Sequence, residues 1–145
     1  MENLKIAIGS DHGGFKLKES FIKYLTTKGF EVKDFGTFDE QSCDYPKIAK
    51  EVANVVASSC FDKGILICGT GIGMSIAANK VKGIRASVCT DTYSAKMTRA
   101  HNNSNILCLG QRVIGEGVAF DILKIWLETE FEGGRHQKRI DLIEE

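Results

Sequence analysis

The chain has 145 residues, 43% of them hydrophobic and 26% charged, with Lys+Arg and Asp+Glu both at 19. That length supports one domain over residues 1–145 with a full core, and that composition is ordinary for a soluble globular protein. The balanced charge gives no pull towards nucleic acid or a membrane surface. No apolar run approaches the roughly 20 residues of a membrane span, and Met1-Glu-Asn-Leu-Lys5 lacks the apolar region of a signal peptide. The five cysteines, Cys43, Cys60, Cys68, Cys89 and Cys108, are odd in number and form no CxxC pair. This argues against a disulfide framework or a zinc site and fits a cytoplasmic protein.

Strand and helix signals alternate along the chain. Leu4–Gly9 is a short apolar strand. Phe15–Lys28 is predicted helical, with Leu17, Phe21 and Leu25 four apart, and Lys28-Gly29 closes it. Phe30–Phe35 is the second strand. A polar loop, Gly36–Asp44, leads to Tyr45-Pro46 and a helix over Pro46–Ser59, with Ile48, Val52 and Val56 on one stripe. Gly64–Cys68 is the third strand, followed by a glycine loop and a helix-like run, Met74–Val81. Arg85–Cys89 is the fourth strand, Thr92–His101 a helix, Ile106–Leu109 the fifth strand and Gly117–Phe131 a long helix. A polar tail, Glu132–Arg139, precedes a last apolar turn, Ile140–Ile143. Such alternation predicts right-handed βαβ crossovers and a parallel sheet covered on both faces, with ligands beyond the carboxyl ends of the strands.

The chemistry-bearing residues cluster at the predicted strand ends. Cys68-Gly-Thr-Gly-Ile-Gly73 puts a thiol before a glycine-rich turn whose N–H groups suit a small anion. A dinucleotide fingerprint would be GxGxxG after the first strand, and a Walker loop would end in Gly-Lys-Ser/Thr; neither is present. A cysteine phosphatase would need Arg where Met74 stands. The bland alternatives are a tight turn and an inert, buried Cys. Asp11-His12 follows strand one and either caps a helix or holds sugar hydroxyls. His101-Asn102 ends the fourth helix, where a cationic His favours the dipole or shuttles a proton. If the tail is helical, Arg135 and Arg139 share one face, and with Arg112 they make a phosphate clamp; the alternative is a solvated basic tail.

Six segments in order resemble one family: Gly9-Ser-Asp-His-Gly-Gly14, Asp44-Tyr-Pro46, Gly64–Gly73, Ala77-Ala-Asn-Lys80, Arg99-Ala-His-Asn102 and Glu132–Arg139. Together they are similar to the type B ribose-5-phosphate isomerases. That resemblance implies a Rossmann-like three-layer αβα sandwich with a five-stranded parallel sheet and a C-terminal helical tail. It also implies a cofactor-free, metal-free isomerase of ribose 5-phosphate and ribulose 5-phosphate in the pentose phosphate pathway. The partners it implies are a homodimer with shared active sites, or a tetramer of such dimers, and no nucleic acid or membrane. One family branch uses a Cys base at the position of Cys68; another uses a Glu at the position of Met74. The implied catalytic residues are Cys68 as base towards a cis-enediolate, His101 for ring opening and Thr70 for proton movement between oxygens. The implied substrate contacts are Asp11, His12, Tyr45, Gly69, Thr70, Gly71, Ile72, Gly73, Asn102, Arg112, Arg135 and Arg139. Two other readings remain: an isomerase of a six-carbon sugar phosphate (allose or galactose 6-phosphate), and a non-catalytic nucleotide- or phosphate-binding module.

Overall fold

The computed structural model describes residues 4–145. Five parallel strands, β1 (Lys5–Ser10), β2 (Glu31–Asp34), β3 (Lys63–Cys68), β4 (Ala86–Val88) and β5 (Ile106–Gly110), lie in the order β2-β1-β3-β5-β4. The helices are α1 (Phe15–Thr27), α2 (Tyr45–Ala57), α3 (Ile72–Ala78), α4 (Thr92–Asn102), α5 (Glu116–Glu128) and α6 (Arg135–Glu144), with a short 3-10 turn at His12–Gly14. This is the expected α/β sandwich. The strand order reverses between β1 and β3, so the loops that follow them diverge and leave a crevice at the carboxyl edge.

The period-two pattern of the strands sorts the core into two layers. Ile6, Ile8, Ile65, Ile67, Leu107 and Leu109 face α1, α4 and α5, against Leu17, Phe21, Ala95, Leu123 and Trp126. Ala7, Leu66, Cys68, Ile106 and Cys108 face α2 and α3, against Ala49, Val52, Val56, Met74 and Ala78. Burial pushes the Cys89 thiol up to about 11 and the Cys108 thiol well above its ordinary value, so both stay protonated packing groups. Lys18 is drawn fully into the interior, where it binds both carboxylate oxygens of Asp34 at 2.8 and 2.7 Å.

Local signals set most boundaries. Gly29, at φ +92°, ends α1. Asp91 caps α4 by accepting from the Ser94 N–H at 2.7 Å, and Asn103, left-handed at φ 46°, stops it. One expectation at the C-terminus is corrected. The long helix ends at Glu128, not Phe131, because Thr129 turns extended (φ −85°, ψ 126°) and the chain docks on the end of α4. There Arg99 Nε donates to the Thr129 carbonyl at 3.2 Å, and the Glu132 N–H donates to the Ala100 carbonyl at 3.0 Å. The C-terminal helical tail is present as α6, which joins the basic segment from Arg135 to the last apolar turn and is anchored by buried His136 and Ile140, four residues apart.

Candidate active site

Tertiary hydrogen bonds gather the loops after β1, β3 and β5 at the carboxyl edge. The Asp11 N–H donates to the Ile67 carbonyl at 3.1 Å, and the Gln111 and Arg112 N–H groups donate to the carbonyls of Cys68 and Gly69 at 2.9 and 3.1 Å. Cys68 is 5% exposed, and its Sγ accepts the Gly71 N–H at 3.0 Å. Gly71 must be glycine: its φ is +82°, and a Cβ would lie 2.9 Å from the Leu109 carbonyl carbon. The Ile72 N–H turns to Thr70 Oγ1 at 3.2 Å. Two of the loop's donors are therefore engaged within the loop, and the N–H groups of Gly69 and Thr70 have no protein partner among the described residues.

Other predicted residues close round this loop. Asp11 accepts the Gly13 N–H at 2.8 Å, which caps the 3-10 turn. His12 Nδ1 is buried without a hydrogen-bond partner among the described residues, an open polar atom at the rim. The Arg112 guanidinium lies over Gly69, 3.4 Å from where a Cβ would stand. Tyr45, the first residue of α2, lays its ring against Gly73, so closely that a Cβ there would fall 2.8 Å from ring carbons. Asp11, His12, Tyr45, Cys68 to Gly73 and Arg112 thus share one edge of the sheet.

The remaining predicted residues sit at the other edge. The helix α4 runs from the carboxyl end of β4 back to the start of β5, so His101 and Asn102 lie near Ile106, which pairs beside Gly64. The four-residue step from Ile106 to Gly110, the neighbour of Cys68, is roughly 13 Å at about 3.3 Å per residue. Arg135 and Arg139 are on α6, which packs against α4 at that far edge. One chain therefore does not bring His101, Asn102, Arg135 and Arg139 to Cys68, and the three arginines of the expected clamp are divided between the two edges.

Two residues escaped the sequence reading. His136 stacks on His101 with ring centroids 4.2 Å apart and planes 11° from parallel. Glu132 Oε1 lies 3.7 Å from His101 Nε2 and 3.5 Å from His136 Nε2. Burial foremost, then the neighbouring His101, lowers the His136 pKa and favours its neutral form. The i,i+4 spacing of Glu132 and His136 was the available signal, hidden because the segment reads as a tail.

Known proteins resemble this chain along nearly all its length. The ribose/galactose isomerase family model matches residues 6–143. Ribose-5-phosphate isomerase B of Escherichia coli (strain K12) is 51% identical over 139 residues, covering 96% of this chain and 93% of that one. Among solved structures, ribose-5-phosphate isomerase B of Clostridium thermocellum superposes with a TM-score of 0.96 at 55% identity, covering 97% of this chain and 95% of that one. The Mycoplasma genitalium enzyme, solved with bound ribulose-5-phosphate, gives 0.95 at 42% identity, covering 99% and 96%. Sequence and architecture agree along the whole matched length: the chain belongs to the ribose/galactose isomerase family.

Proposed function

We propose that this isomerase interconverts D-ribose 5-phosphate and D-ribulose 5-phosphate in the cytoplasm, with Cys68 as the base. The observation that carries the reading is the Gly71 N–H on Cys68 Sγ, beside two loop N–H groups without a protein partner among the described residues, in a chain half identical to ribose-5-phosphate isomerase B of Escherichia coli. The Gly71 N–H fixes the position of Cys68 Sγ at the loop, where the sulfur is placed to take a proton from carbon. Cys68 removes the C2 proton of the open-chain aldose and returns it to C1. The Gly69 and Thr70 N–H groups face the enediolate oxygens, where one such donor is worth about 10²–10³ in rate. Thr70 moves a proton between O1 and O2. Asp11, His12 and Tyr45 hold hydroxyls.

Ring opening and phosphate binding need the far edge. Two copies related by a two-fold axis, with the Cys68 edge of each against the His101 edge of the other, build two complete sites. His101 then opens the furanose, Asn102 lines the site, and Arg135 and Arg139 join Arg112 on the phosphate. Exposed apolar residues beside the glycine loop, Ile72 at 53% and Ile76 at 59%, support a buried contact there. The free thiols fit a reducing compartment.

A coupled assay on ribose 5-phosphate and allose 6-phosphate, run on wild type and Cys68→Ala, tests the reading. Wild type is expected to prefer ribose 5-phosphate, and Cys68→Ala to lose turnover by at least about 10³ while still binding substrate. Near-normal turnover by Cys68→Ala removes the base. Preference for the six-carbon sugar moves the enzyme to the other substrate class.

A further inference from the structure

His101, Glu132 and His136 offer one ligand atom each, all within 4.8 Å of one another. A tetrahedral zinc ion with bonds of about 2.0–2.1 Å holds its donors about 3.3 Å apart. The two nitrogen-to-carboxylate separations, 3.7 and 3.5 Å, are close to that edge length and too long for good hydrogen bonds. No side-chain hydrogen bond satisfies either ring among the described residues, although the His136 side chain is only 9% exposed. An imidazole ring held in place by burial, with Nε2 towards a carboxylate and stacked on a second imidazole, is a ligand set with free donor atoms.

We propose that these three side chains form a site for a divalent transition-metal cation, zinc foremost, whose occupation inhibits the enzyme. Two imidazoles and one carboxylate suit zinc, with water in the fourth position. The stacked rings hold their Nε2 lone pairs side by side, so one ring turns for both to converge. His101, at 38% exposure, has the room, whereas buried His136 stays in place. Arg135 and Arg139 share α6 with His136 and oppose a cation, which makes the site one of modest affinity. Metal on His101 Nε2 occupies the lone pair that a proton shuttle uses, so the inhibitory part rests on the proposed ring-opening role of His101.

The test is zinc binding by calorimetry on the tag-free dimer in the Cys68→Ala background, which removes the active-site thiolate as a competing ligand. Binding is expected to persist within about twofold of wild type in Cys68→Ala and to weaken more than about tenfold when His136→Gln or Glu132→Gln is added, since losing a direct ligand costs at least as much as losing an outer one. Cobalt in place of zinc should give visible d–d absorption without a sulfur-to-metal charge-transfer band. Unchanged zinc affinity in both folded variants, or loss of binding with Cys68→Ala alone, overturns the site. Zinc held by the triad with no loss of ribose 5-phosphate turnover overturns the inhibition and the ring-opening role together, leaving the ligand set.

Discussion

At the scale of single residues, environment separates side chains of one type. Cys68, Cys89 and Cys108 are all buried, yet only Cys68 accepts a backbone N–H at a loop. Lys63 shows the same dependence among cations. Its ordinary value of 10.5 falls to about 8, through burial first and then the nearby Arg99 charge, with Asp62 opposing. Between pH 8 and 10.5 the unfolded chain keeps a proton that the folded chain has released, so Lys63 makes stability rise with pH across that window. Below pH 8 both states are charged and the desolvation cost is fully present. Urea unfolding of wild type and Lys63→Met at intervals from pH 7.5 to 10.5 should show a rise in the wild type that the variant lacks. Equal slopes in both would mean that Lys63 titrates normally in the fold.

At the scale of elements, buried polar contacts lock the layers at chosen points. Lys18 on α1 holds Asp34 at the end of β2, and Asp34 Oδ1 also accepts the Gly36 N–H at 2.8 Å. The Gly36 carbonyl in turn accepts the Ser10 N–H at 2.7 Å, one residue before Asp11. Lys18→Met should cost about 3 kcal/mol in chemical denaturation by stranding Asp34, and Asp34→Asn added to it should recover part of that. Additive losses would show that the pair is uncoupled. Every strand and the first four helices were legible because apolar periodicity and stop signals, such as Lys28-Gly29, are local. The end of α5 was not, and α6 was implied by the family resemblance rather than by its own pattern. Thr129 and Glu132 are placed by contacts with Arg99 and Ala100, and α6 exposes most of its residues, so its two anchors, His136 and Ile140, leave only a faint pattern.

At the scale of the whole molecule, the identities of the candidate residues were legible and their distribution was not. Local motifs mark Cys68 and His101 alike, but only the antiparallel course of α4 reveals that one chain holds them at opposite edges of the sheet. The central claim is that a second copy completes each site. Co-expression of Cys68→Ala and His101→Asn chains tests it most directly, because a mixed dimer carries both lesions in one site and none in the other. Half of randomly paired dimers are mixed, so about a quarter of wild-type turnover should return from two nearly inactive parents. Turnover no greater than the average of the parents, with mixed dimers demonstrated by dual-tag purification, would contradict the shared site.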